Sequence, residues 1–169
     1  MHFAEKVTGN FKIMQSVAVF SPNGAYRYQL IRRWEPTLPL VTFIGLNPSR
    51  ADASYTDPTI RRCIQFAQSW GYGGIIMANL FAFRTPHPEA LKQCTKPVGP
   101  ENDWYIKDAL RRSSLTIVAW GNDGRFRQRD KKVLSWIASP MCLRVNKSGQ
   151  PAHPLYIPAK TTPLPFVLS

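Results

Sequence analysis

Apolar positions along the chain fall into short β-branched runs separated by stretches of helical period, a pattern that predicts alternating strands and helices. Val17 to Phe20 and Tyr26 to Arg32 read as strands, and Ser21-Pro22-Asn23-Gly24 between them is hairpin chemistry. Tyr26, Tyr28 and Leu30 alternate with Arg27 and Gln29, which predicts that the three apolar residues share the core face. Leu40 to Ile44 is a buried strand that stops at Gly45-Leu46-Asn47-Pro48-Ser49. Pro48 cannot donate to a sheet ladder and holds Asn47 extended, so the Asn side chain is presented at the strand's carboxyl end. Asp57 then caps a helix that has Pro58 at its first position and Ile60, Cys63, Ile64 and Ala67 on its apolar face; Gly71 ends it.

The same alternation continues. Ile75 to Phe81 is a second buried strand, with Asn79 near its carboxyl end. Residues 82–99, broken by Pro86, Pro88 and Pro97, form a long loop with a short helix near Glu89 to Gln93. A helix follows from Pro100, with acids in its first turn and Arg111-Arg112 at its end, as the macrodipole prefers. Leu115 to Trp120 is the third core strand, and a basic helix carrying Arg125, Arg127, Arg129, Lys131 and Lys132 comes after it. Cations at a helix start oppose the dipole, which hints at a bound anion. Met141 to Val145 is the fourth core strand, followed by a loop through His153 to Tyr156.

The expected fold is a single α/β domain over residues 1–169: three layers, α/β/α, around a mainly parallel sheet with right-handed crossovers. Residues 40–157 form the core, 1–35 an arm (or short helix) and an antiparallel hairpin at the sheet edge, and 158–169 a Pro-spaced tail.

Composition changes this picture in one respect. Of 169 residues 44% are hydrophobic, an ordinary globular share, and no apolar run nears the ~18 residues of a membrane span. No membrane partner is expected, and without a signal-peptide core in the first residues the cytosol is the expected compartment. Cys63, Cys94 and Cys142 are scattered and contain no CxxC pair, which argues for reduced thiols and against a disulfide framework or a cysteine metal site. Neither a metal nor a cofactor is expected. The net charge of +12, however, points to a polyanionic partner: nucleic acid, DNA in preference to RNA. The cations expected to meet phosphate are Arg50, Arg125, Arg127, Arg129, Lys131 and Lys132, with Arg61, Arg62, Arg111 and Arg112 in support.

Three polar groups follow apolar strands or stand beside Pro: Asn47, Asn79 and His153. Each alone is an ordinary turn or surface residue. In open α/β sheets, though, strand carboxyl ends converge on one cleft. Tyr55 and Phe83 lie beside that cleft as candidates for base stacking.

Most of residues 40–157 resembles the uracil-DNA glycosylase superfamily. The resemblance is carried in order by GLNPS, GIIMANLFAFR, TIVAWGNDG before the basic segment, and AHPLY. More narrowly, LNPSRADA, DPTIRRC, WGYGG, NLFAFR and GPEND resemble a bacterial and phage domain family of about this length, to which no activity is attached. The superfamily resemblance implies roles for Asn47 in holding a water on the sugar, Asn79 in reading the base edge, and His153 in stabilising the departing oxyanion. Ser49 stands where the uracil-specific branch has a Tyr that blocks a methyl group, so that exclusion is not expected. Leu155 follows Pro154 at once, which shortens the family's intercalating loop. The implied activity is hydrolysis of the N-glycosidic bond of a flipped, modified base. The alternatives are a non-catalytic module that holds a base or nucleotide, and an enzyme of free nucleosides or nucleotides.

Overall fold

The computed structural model describes residues 12–169, so the arm expected over the first residues lies mostly outside the described part. The fold is mixed α/β, with one seven-stranded sheet in the order β1-β2-β4-β3-β5-β6-β7. Its strands are β1 (Gln15–Phe20), β2 (Arg27–Arg33), β3 (Leu40–Gly45), β4 (Gly74–Asn79), β5 (Leu115–Val118), β6 (Met141–Cys142) and β7 (Leu164–Pro165). The helices are α1 (Pro58–Ser69), α2 (Pro88–Gln93), α3 (Asn102–Arg112) and α4 (Arg129–Leu134).

The pairs β3·β4, β3·β5 and β5·β6 are parallel. By contrast β1·β2, β2·β4 and β6·β7 are antiparallel. The sheet is therefore mixed rather than mainly parallel. Crossover helices make the centre parallel, whereas β2 runs antiparallel to both β1 and β4 at one edge and β7 runs back along β6 after a long connection at the other. The tail is part of the sheet: β7 pairs with β6, and Phe166, 4% exposed, packs edge-on against Trp120.

Alternate residues of the central strands feed separate cores. Val41, Phe43, Ile75, Met77 and Ile117 pack with Ile60, Cys63, Phe66 and Ala67 of α1. Ile44, Ala78 and Val118 pack with Ile106 of α3 and Val133 of α4. Helices thus cover both faces of the parallel centre.

One bulge disturbs the alternation. Val19 pairs with Gln29 but Phe20 pairs with Arg27, which leaves Tyr28 as an extra residue in β2. Beyond the bulge the faces exchange. Tyr28 stacks on Tyr105 of α3, at 5.1 Å between ring centroids, instead of joining Leu30. Arg27 turns the other way, inward. This corrects the expected alternation of Tyr26, Tyr28 and Leu30.

The basic helix is also corrected. Residues Asn122–Gln128 form 3-10 turns broken by a kink, with Phe126 extended and Arg127 and Gln128 at φ 54. The regular helix begins only at Arg129.

Candidate functional site

The crossover from β3 runs through α1 to β4 on one side, and that from β5 runs through α4 to β6 on the other. Their divergence opens a crevice at the carboxyl ends of β3 and β5, where ligands of open α/β sheets bind. A cavity of about 180 Å³ occupies it. Its walls come from Arg27 of β2, Phe43 and Gly45 to Ser49 of β3 and its loop, Asp57, Thr59 and Ile60 at the start of α1, Met77 and Asn79 of β4, Ala119 and Trp120 after β5, and His153-Pro154. A cavity of ~150 Å³ is known to hold benzene, so this one accommodates a small planar ring.

The crevice brings Asn47, Asn79, Ser49 and His153 together, Asn79 at the end of β4, Asn47 and Ser49 in the loop after β3 and His153 in a loop beyond β6. Asn47 Nδ2 donates to the carbonyls of Thr85 (2.8 Å), Pro48 (3.1 Å) and Phe83 (3.3 Å). Three carbonyls around one end admit only the nitrogen there, which leaves Oδ1 as the outward, accepting end.

Asn79 is 4% exposed, and among the described residues its Nδ2 has no hydrogen-bond partner. An unpaired buried amide costs ~1–3 kcal/mol. The surrounding structure nevertheless holds the backbone at this strand end in place. Asn102, fully buried, donates through Nδ2 to the carbonyls of Asn79 (2.9 Å) and Leu80 (3.1 Å). Arg129 Nε donates to the same Leu80 carbonyl at 3.0 Å, and its Nη2 meets Asp103 at 2.8 Å.

His153 Nδ1 accepts the backbone N–H of Leu155 at 3.2 Å, an arrangement that places the proton of the neutral ring on Nε2. Although the residue is exposed, desolvation of its ring draws the pKa below 6.5, with the Asp57 carboxylate pulling the other way.

Arg27 is a wall residue that the sequence pattern assigned to the opposite face. It is 3% exposed, donates through Nη1 to the Ala51 carbonyl at 2.9 Å, and has an unpaired Nε. Burial lowers its pKa to about 10, so it remains charged at neutral pH. Apolar Ile31 breaks the alternation set by Gln29 and so signals an irregular strand, but only the bulge shows which side chain is re-aimed.

Trp120, also a wall residue, is locked by a buried relay: its Nε1 donates to Gln150 Oε1 (2.9 Å), and Gln150 Nε2 donates to Asp130 Oδ2 (2.9 Å). Gly124 lies so close that a Cβ there would stand 2.0 Å from the indole.

Two expected stacking residues are not in the cavity. Tyr55 is 47% exposed and outside its walls, and Phe83 packs edge-on against Tyr26. The rings that line the cavity are Phe43 and Trp120. Among the expected phosphate contacts, Arg50, Arg125, Arg127, Lys131 and Lys132 are exposed, whereas Arg129 is 4% exposed and committed to Leu80 and Asp103. Its place at the start of α4 is thereby explained without an external anion. Arg125 reaches the Ser148 carbonyl, and Arg127 those of Cys94 and Thr95, all at 3.3 Å.

No helix among the described residues is long and apolar enough to cross a membrane. No curated protein matches the chain, and no solved structure does. Residues 27–155 match the family described as "Protein of unknown function (DUF1643)". That span holds β2 to β6 and every wall of the cavity from Arg27 to Pro154, and the chain belongs to this family.

Proposed function

We propose that this protein binds nucleic acid and accepts a flipped, modified base in the cavity, where its N-glycosidic bond is hydrolysed. The observation that carries the reading is Asn79, a buried carboxamide with an unpaired Nδ2 in the wall of a ring-sized cavity. A buried amide held unpaired has an obvious partner in the edge of a heterocycle. In this reading the base lies between Phe43, Met77 and Ile60, and Asn79 reads its edge.

Other features support a reaction rather than binding alone. The anchored nitrogen of Asn47 leaves Oδ1 to orient a water towards the sugar. The His153 Nε2–H is a donor for the charge that develops on the departing base. Ser49 leaves room for a substituent on the base, and the exposed cations Arg50, Arg125, Arg127, Lys131 and Lys132 supply phosphate contacts, DNA being the preferred partner. The arrangement of helices on both faces of a parallel centre supports a three-layer fold of the uracil-DNA glycosylase kind. A cytoplasmic setting fits the reduced thiols.

The test is a panel of oligonucleotides carrying uracil, hypoxanthine, xanthine and methylated or oxidised bases, scored for alkali-labile abasic sites. Cleavage at one of them is expected. Tight binding with no base release on any would replace the enzyme with a base-holding module. Action on free nucleosides, without nucleic-acid affinity, would replace it with a nucleoside hydrolase.

A further inference from the structure

Asp57 caps α1: its Oδ1 accepts the Ile60 N–H at 2.9 Å. Capping alone does not explain a carboxylate, because Asn or Ser caps a helix equally well. The same side chain lines the cavity with Asn47, Asn79 and His153. Among the described residues no donor reaches its Oδ2, and no ion pair neutralises it. The charged and titratable groups that feel it are Arg27 and Arg32 of β2, Cys63 of α1, and His153. The sequence alone offered an amide at Asn47 and no carboxylate for the attacking water; the fold brings one in.

We infer that Asp57 is the catalytic carboxylate of this cavity, with Oδ2 facing the water that attacks the sugar. The inference rests on the base-releasing reading of the site. In the step, the water oxygen bonds to the anomeric carbon as the carbon–nitrogen bond breaks, and the bonding pair leaves with the base. The water's proton passes to Asp57 Oδ2, and the departing base, which leaves as an anion, accepts a hydrogen bond from His153 Nε2–H. Solvent then takes the proton from Asp57 and gives one to the released base, while His153 stays neutral throughout. Before the proton moves, the carboxylate's charge favours the positive sugar of the transition state.

Asp57→Asn separates this role from capping, because it keeps the cap and the volume and removes only the charge and the basic oxygen. Wild type and D57N are compared on the same oligonucleotide panel, together with DNA affinity, melting temperature and the NMR titration of His153. The variant is expected to lose on the order of 10²-fold or more in rate, the range for one general acid or base. It should also melt within a few degrees of wild type and bind DNA as before. The His153 midpoint should fall further, since the group that raises it has gone. A wild type that releases no base overturns the reading of the cavity and this role with it. An active wild type matched by an equally active D57N overturns this role alone.

Discussion

Gly45 and Asn79 are partners in the parallel register of β3 and β4, and a Cβ on Gly45 would stand 2.8 Å from Asn79 Oδ1. The absence of a side chain at one strand end therefore makes room for the carboxamide at the next. Gly45→Ala is expected to push Asn79 out of position, at a cost of ~1–3 kcal/mol by overpacking. Base discrimination should fall well beyond what that loss explains. Thermal melting beside ligand or substrate competition measures both; unchanged selectivity would mean that Asn79 does not depend on Gly45.

Asn79→Ala should separate function from stability. Removing an unpaired buried Nδ2 relieves a penalty of ~1–3 kcal/mol, which offsets the packing lost at a cavity edge. The melting temperature should hold or rise while base recognition is lost, as expected where a strained site serves activity. A large loss of stability would show instead that Asn79 holds the fold together.

Asn102→Ala removes both donors to the buried carbonyls of Asn79 and Leu80. The expected cost is ~1–3 kcal/mol, since the Asn79 carbonyl loses this donor inside the protein whereas the Leu80 carbonyl keeps Arg129 Nε. Equilibrium denaturation checks it, and the loss should exceed that of Asn79→Ala.

The cations divide into two groups. Neutralising exposed Arg50, Arg125, Arg127, Lys131 or Lys132 should shift stability by no more than ~0.5 kcal/mol and reduce the salt slope of DNA binding by about one per phosphate contact. Arg129→Met should instead destabilise by up to ~3 kcal/mol, because Asp103 and the Leu80 carbonyl lose a buried partner. The Asp103 side chain is 40% exposed, which tempers the effect. Salt-dependent titration and denaturation distinguish the groups.

His153 titrates below 6.5 because desolvation favours its neutral form. Its unfolded form therefore binds the proton first as pH falls. Its contribution to stability is full above the unfolded pKa and declines as pH drops from about 6.5 towards the lower folded value. NMR titration of the ring should place the midpoint below 6.5. Turnover that uses the Nε2–H of the neutral ring should persist to pH values where a free histidine is charged.

Much of the parallel centre was legible in local sequence. Asn47-Pro48 announced a strand end, Asp57-Pro58 a helix start, and Ser21 to Gly24 a hairpin, because caps, turns and buried runs depend on neighbours along the chain. The long basic helix was not legible. Arg125 to Lys132 has helical composition, but tertiary contacts hold Arg127 at φ 54 and bury Arg129. Likewise a dipeptide such as Leu164-Pro165 carries no strand signal of its own and becomes β7 only by meeting β6.

The sequence by itself determined the order of the central strands and their crossover helices and the placement of Asn47 and Asn79 at the carboxyl ends of β3 and β4, since periodicity and turn chemistry are local. Only the tertiary structure decided that they share one cavity with Arg27, Asp57, Phe43 and Trp120. Arg27 enters through a bulge in one strand, and Asp57 through the packing of α1 on the face of the central strands. Both are consequences of long-range packing, which brings together residues whose separation along the chain carries no trace of their distance in space.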